Sequence, residues 1–212
     1  MSAQAKICGI NSVPAAEAAG RAAFAGFNFY APSPRSVTPA QARFLAERVS
    51  RCVVRVALLV DFEDDALDAL LSVFRPDLLQ LHGHETPART AAIRARAGLP
   101  VMKVLGVASA ADLDAASAYT GAADRLLFDA KPPKREGALP GGNAVTFDWS
   151  LLAGRKWPVP WMLAGGLTPL NVASAIRATG APAVDVASGV EDRPGHKSPR
   201  LIRRFLAAVR AA

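Results

Sequence analysis

Ala5-Lys6-Ile7-Cys8-Gly9-Ile10 opens the chain as a β-rich apolar run that ends in a cysteine followed by glycine. Seven further runs of this kind cover residues 26–30, 52–60, 77–81, 100–105, 125–129, 160–164 and 183–187. An amphipathic, alanine-rich stretch follows each of them. Thr38-Pro39 and Thr86-Pro87 start two of these stretches, residues 38–49 and 86–97, and Ser198-Pro199 starts the last. A threonine or serine N-cap with proline at the first helical position is a good helix start.

Strictly alternating strands and helices imply a parallel sheet. Eight such pairs in 212 residues suggest a closed (β/α)8 TIM barrel, single domain over 1–212, near the small end for that fold. An open doubly wound sheet is the alternative, because periodicity does not show closure. The reading favours the barrel.

Composition narrows the function classes. Hydrophobic residues make up 51% and charged ones 20%, which is globular rather than disordered. No apolar run reaches the roughly 18 residues of a membrane helix. The first strand pattern begins at once, so no signal peptide is expected. Cys8 and Cys52, both read as strand residues, form no metal-binding spacing and no disulfide framework, which fits a reducing cytoplasm. The net charge of +7 comes from 19 arginines and 6 lysines against 18 acidic residues. Nucleic-acid binding is one reading of that charge. The arginines are scattered over helical segments without interleaved aromatics, however, so a solvated basic face that draws in a small anionic substrate is preferred.

In a barrel the active site lies at the carboxyl ends of the strands. Those positions are Cys8, Tyr30, Asp61, His82, Leu105-Gly106, Asp129, Gly165-Gly166 and Ser188-Gly189. The glycines after strands seven and eight suit a phosphate, through backbone amides and a helix N-terminus; the plain alternative is tight turns. Cys8 and Asp129 are a candidate base and acid, or else a buried structural thiol and a helix cap.

These residues resemble the phosphoribosylanthranilate isomerase family of tryptophan biosynthesis almost end to end. Lys6-Ile7-Cys8-Gly9-Ile10 is similar to its opening motif, and residues 26–30 with Ser33-Pro34-Arg35 to its second strand and following arginine. Leu79-Gln80-Leu81-His82-Gly83 resembles the fourth-strand signature, and Phe147-Asp148-Trp149 the opening of the sixth helix. Leu163-Ala164-Gly165-Gly166-Leu167, residues 185–191 and Pro194-Gly195-His196-Lys197 resemble the two phosphate loops.

The resemblance implies the conversion of N-(5-phosphoribosyl)anthranilate into the 1-deoxyribulose 5-phosphate by an Amadori rearrangement, with no cofactor and no metal. It makes Asp129 the general acid and Cys8 the general base. Arg35 would bind the anthranilate carboxylate, since a guanidinium fork matches a carboxylate. His82 would hydrogen-bond the substrate or position an acid. Gly142, Gly165, Gly166, Ser188 and Gly189 would hold the phosphate. Lys6, two residues from Cys8 on the same strand face, either raises the thiolate fraction or serves structure. Gln80 and Asp185 face the interior without an assigned contact. The long segment after Asp129 reads as a mobile lid.

Six positions depart from the family pattern: Asn11, His84, Asn143 and Ala144 in Gly141-Gly142-Asn143-Ala144, Ala187 and Ser198, the last still a suitable cap. They bear on rate and lid behaviour. A related sugar-phosphate barrel, such as a pentulose-phosphate epimerase or the histidine-pathway isomerase, is the rival enzyme reading. It lacks the expected half-barrel repeat or metal ligands. A catalytically idle barrel binding a phosphorylated ligand or nucleic acid is the non-enzyme reading, which the presence of Cys8 and Asp129 disfavours. The reading expects a small phosphorylated substrate, no nucleic-acid or membrane partner, and leans to a monomer.

Overall fold

The computed structural model describes residues 3–131, 141 and 146–212. Eight parallel strands close into a barrel in sequence order, with β8 returning to pair with β1. The strands are β1 (Gln4–Cys8), β2 (Phe24–Asn28), β3 (Val54–Leu59), β4 (Leu78–Leu81), β5 (Val101–Val107), β6 (Arg125–Ala130), β7 (Trp161–Leu163) and β8 (Ala183–Val186). Closure decides between the barrel and the open sheet, and the barrel is correct.

The pleat explains the pattern of side chains. Residues two apart on a strand share a face. Ile7, Phe27, Leu59, Leu79, Leu81 and Phe128 are buried in the larger core cluster, together with helical residues such as Ile93 and Phe205. Phe24, Val56, Leu78, Met102, Leu127 and Met162 form a second cluster that plugs the barrel interior. Above that plug the inward positions turn polar.

The helices are α1 (Val13–Ala18), α2 (Pro39–Ala46), α3 (Asp64–Val73), α4 (Pro87–Ala97), α5 (Ala110–Asp114), α6 (Val172–Thr179) and α7 (Pro199–Arg210). Thr38 caps α2 through the Gln41 N–H, and Thr86 caps α4 through the Arg89 N–H. Ser198 sits at the N-cap of α7 without a capping side-chain bond; its N–H instead donates to the Val190 carbonyl at 2.9 Å.

Two expectations need correction. No α-helix opens at Phe147-Asp148-Trp149; a single 3-10 turn, Trp149–Leu152, stands there, with Asp148 capping the Ser150 N–H. The outer face of β6 is covered instead by indoles: Phe128 lies 4.5 Å from the Trp157 ring and 5.8 Å from the Trp161 ring. Cys52 is no strand residue. It lies exposed in the turn before β3, where a long apolar run hides the start of the strand. A two-stranded hairpin unforeseen in the sequence, β9 (Glu191–Arg193) and β10 (His196–Lys197), follows β8.

Candidate active site

The carboxyl ends of the strands surround a cleft of about 770 Å³, counting the space at its mouth. Cys8, Tyr30, Arg35, His82, Asp129, Gly165, Gly166 and Ser188 all line it, so residues from six strand ends meet there. Gly189 lies outside the lining, its Cα turned into the Leu167 carbonyl. Gly142 and most of the segment read as a lid fall outside the described residues.

Lys6 and Cys8 project inward from β1, and Asp185 projects from β8 directly across the register from Lys6. The Lys6 ammonium is fully buried and donates to Asp185 Oδ1 at 3.0 Å. The Cys8 thiol lies beside the same ammonium, and its charge would favour the protonated lysine. Gly26 on β2 makes room for both groups. A Cβ there would lie 3.1 Å from Cys8 Sγ and 3.2 Å from Lys6 Nζ.

Electrostatics in this corner follow from burial. Desolvation alone would lower the Lys6 pKa, but the charges of Asp185 and Cys8 hold it above its ordinary value. Burial pushes the Cys8 thiol up, Lys6 pulls it down and Asp185 pushes it up again; the net result is a raised thiol. Of the two roles expected for Lys6, the pull on the thiol is present but outweighed, because the same fold that supplies Lys6 also removes water.

Asp129 is the penultimate residue of β6 and is 8% exposed. Burial first, and the charge of Asp185 second, raise its pKa to about 7, against the Ala130 N–H and Lys6. The Ala130 N–H donates to Asp129 Oδ1 at 2.8 Å. The other oxygen, Oδ2, lies 3.6 Å from His82 Nε2. Gln80, fully buried on β4, approaches His82 Nδ1 with its amide nitrogen at 3.5 Å. Gly141 packs over this group: a Cβ on it would stand 2.4 Å from the His82 ring and 2.9 Å from Asp129 Oδ2.

The loop after β2 is tied down by Asn28. Its Oδ1 accepts the Tyr30 N–H at 2.8 Å, and its Nδ2 donates to Ser33 Oγ at 3.2 Å. Ser33 Oγ in turn accepts the Arg35 N–H. Arg35 is buried, with two of its nitrogens on Glu191.

On the opposite wall, Gly165 and Gly166 both adopt positive φ, 89° and 62°, a conformation open to glycine at no steric cost. Asn171 closes that turn by donating to the Gly166 carbonyl and accepting the Thr168 N–H.

Sequence reasoning missed Asn28 as part of the site, and read Glu191 and Lys197 only within the phosphate-loop motifs, not as partners of Arg35 and of each other. Asn28 could have been found by continuing the inward alternation from Phe24 through Gly26. No periodicity signals the pairing of Glu191 with Lys197, since they meet through the unforeseen hairpin. Asp61, a strand-end candidate, turns away from the cleft. Its carboxylate takes the His84 N–H and ring nitrogen, and these bonds hold its pKa down against burial. Asn11 donates to the Gly195 carbonyl at 2.8 Å, so two departures from the family pattern have local bonding roles. Among the described residues no cluster of three His, Cys, Asp or Glu side chains could hold a metal ion.

Residues 5–208 match the family model described as N-(5'phosphoribosyl)anthranilate (PRA) isomerase. The chain is 58% identical to the N-(5'-phosphoribosyl)anthranilate isomerase of Paramagnetospirillum magneticum, over 99% of this chain and 98% of that one. It is 57% identical to the protein of that name from Rhodospirillum centenum, over the full length of both. The crystal structure of the phosphoribosyl anthranilate isomerase from Thermotoga maritima superposes with a TM-score of 0.86 at 32% identity, covering 99% of this chain and 100% of that one. A phosphoribosyl anthranilate isomerase solved in complex with reduced 1-(o-carboxyphenylamino)-1-deoxyribulose 5-phosphate has a TM-score of 0.81 at 30% identity, over 99% and 100% of the two chains.

Proposed function

The chain belongs to the N-(5'-phosphoribosyl)anthranilate isomerase family, and from that premise we propose how its cleft divides the chemistry. The enzyme converts N-(5-phosphoribosyl)anthranilate to 1-(2-carboxyphenylamino)-1-deoxyribulose 5-phosphate, an isomerase step of tryptophan biosynthesis.

Asp129 is the general acid. It protonates the furanose ring oxygen, the C1–O bond breaks, and the nitrogen lone pair forms an iminium ion. Cys8, as thiolate, then takes the C2 proton and leaves an enolamine. Ketonisation moves the O2 proton to C1 with no net change on the protein. One proton must afterwards pass from Cys8 back to Asp129. The observation that carries this reading is that a buried carboxyl, Asp129, and a buried thiol beside an ammonium, Cys8 with Lys6, meet in one cleft. A group near pKa 7 holds its proton and also gives it up near neutrality, which acid catalysis needs.

Arg35 is the carboxylate clamp of this reading, and His82 orients Asp129 or the substrate. The phosphate seat is the backbone of Gly165, Gly166, Ser188 and Gly189. In support, none of these four spends its N–H on a backbone carbonyl of the described residues outside its own turn. Gly142 joins the seat as a proposal from sequence.

The test is loss of substrate fluorescence with the labile aminoaldose generated in situ and no added metal. Cys8→Ser and Asp129→Asn should each lower kcat by ~10²–10⁴-fold. Turnover unaffected by either change would discard the acid–base assignment.

The same reading places the protein in the cytoplasm as a monomer without nucleic-acid partners. In support, both cysteines are free. No helix among the described residues is long and apolar enough to cross a membrane. The exposed large apolar side chains Phe44, Val73 and Leu170 are scattered over α2, α3 and the loop before α6. Sedimentation at micromolar concentration tests the monomer, and a dimer mass would overturn it.

A further inference from the structure

The carboxyl group of Glu191 is buried behind Arg35, a residue of the cleft lining, among donors. Arg35 Nε donates to its Oε1 at 2.7 Å and Arg35 Nη2 to its Oε2 at 2.9 Å. Lys197 Nζ also donates to Oε1, and the Gly195 N–H donates to Oε2 at 3.2 Å. The side chains of Arg35, Glu191 and Lys197 are 6%, 4% and 0% exposed. Among the described residues, two cations and one carboxylate thus meet in this corner. Burial would raise the Glu191 pKa, but Arg35 and Lys197 hold it below the ordinary carboxylate range.

The hairpin supplies this carboxylate. Glu191 on β9 and Lys197 on β10 are cross-strand partners, and Gly195 between them packs against the Pro34 carbonyl. Asn11 ties the same turn to the loop after β1. A guanidinium on a loop would otherwise sample several rotamers. Engaging its Nε–Nη2 edge bidentately fixes its plane.

We propose that Glu191, held by Lys197, is a positioning residue that sets the orientation of the Arg35 guanidinium and thereby makes the enzyme selective for a carboxylate on the aromatic ring of its substrate. The inference rests on the reading that Arg35 receives that carboxylate. Glu191 does not touch the reacting atoms. It acts through Arg35, as an outer residue fixes the geometry of a binding group.

Charge alone makes the opposite prediction, which allows a decisive test. Glu191→Gln makes the corner more positive by one charge, so simple electrostatics would strengthen binding of a carboxylate. Loss of orientation would weaken it. The experiment measures competitive inhibition by reduced 1-(o-carboxyphenylamino)-1-deoxyribulose 5-phosphate and by its phenylamino counterpart without the carboxylate. Wild type should prefer the carboxylated compound by ~10–100-fold. Glu191→Gln should remove most of that preference, leave the affinity of the phenylamino compound within ~3-fold, and raise KM about tenfold more than it lowers kcat.

The double variant Glu191→Gln/Lys197→Met returns the corner to its wild-type net charge without the strut, and should stay unselective. Recovery of selectivity in the double variant, or equal weakening of both inhibitors by Glu191→Gln, would overturn the proposal. Arg35→Met separates the two levels of inference. If it leaves wild-type selectivity intact, Arg35 is not the carboxylate clamp and the reading beneath this proposal fails. If it abolishes selectivity while Glu191→Gln does not, only the role of Glu191 fails.

Discussion

His82 Nε2 faces Asp129 Oδ2 at 3.6 Å, while Gln80 approaches the other ring nitrogen at 3.5 Å. The separation between ring and carboxyl is longer than a formed hydrogen bond, and catalytic contacts of this kind tighten when substrate arrives. The direction of the chain matters more than its length. When the Gln80 amide donates to Nδ1, the neutral imidazole carries its proton on Nε2. His82 then has no lone pair to accept the proton of Asp129, and that proton remains available for the ring oxygen of the sugar. Gln80 Oε1 is buried without a hydrogen-bond partner, which fits an acceptor waiting for a substrate hydroxyl.

The tautomer can be measured. The chain has three histidines, so nitrogen NMR of labelled protein resolves each ring. His82 is expected as the Nε2–H tautomer when neutral. Gln80→Leu should let the Nδ1–H form appear and lower kcat by ~10-fold or more, within the range for a mispositioned acid. An Nδ1–H ring in wild type would remove Gln80 from this role without any need of the variant.

Gly141 makes a steric prediction. A methyl group placed 2.4 Å from the His82 ring and 2.9 Å from Asp129 Oδ2 cannot be accommodated without moving one of them. Gly141→Ala should therefore reduce kcat by ~10–100-fold, since displacements near 1 Å carry costs of that order. Thermal stability should hardly change, because the residue lies on the cleft surface rather than in the core. Full activity in this variant would show that the segment shifts without disturbing the acid.

Asp129 also links catalysis to stability. Its carboxyl is raised from 3.8 to about 7 on folding. The native state therefore binds the extra proton, and stability is lost as pH rises through that window. At pH 8 the full penalty applies, up to about 4 kcal/mol at 1.36 kcal/mol per pKa unit. Asp129→Asn keeps an acceptor for the Ala130 N–H and removes the charge. It should be more stable than wild type at pH 8 by several degrees in Tm, and the gap should narrow towards pH 4. A variant less stable than wild type at pH 8 would mean that the buried carboxylate is better solvated than its surroundings suggest.

Much of this site was legible in the sequence because it follows two periodicities. Counting alternating elements led to the barrel, and reading only strand ends picked out Cys8, His82, Asp129 and the glycines. What escaped notice depends on contacts between distant loops. Glu191 and Lys197 meet Arg35 through a hairpin only five described strand residues in all, too short for any alternation to register. The sixth crossover failed for another reason. Asp148 and Trp149 resemble a helix start, but Ala153-Gly154-Arg155-Lys156-Trp157-Pro158 breaks the apolar period almost at once, and Phe128, Trp157 and Trp161 fill the space by ring packing. The thiol of Cys8 shows the limit for chemistry: its neighbour Lys6 was visible, whereas the burial that opposes it was not.

The two proposed reacting groups lie in reverse order of acidity, and this shapes the expected pH profile. Asp129 has a pKa of about 7, and Cys8 is raised above the ordinary thiol value of 9.0. Catalysis needs the carboxyl protonated and the thiol ionised, so the competent form is a minor fraction of the singly protonated enzyme. Between the two pKa values that fraction is constant. Below pH 7 both groups gain protons and the thiolate disappears; above the thiol pKa both lose them and the acid disappears. A bell in kcat/KM is therefore expected, with an acid limb near 7 set by Asp129 and an alkaline limb above 9 set by Cys8. Lys6 favours the thiolate, so Lys6→Met should lower the plateau and push the alkaline limb higher, at a cost to stability of ~3–5 kcal/mol for leaving Asp185 unpaired. A profile that instead declines steadily from pH 6 would mean that the acid alone limits the rate and that the thiolate is supplied by the bound substrate.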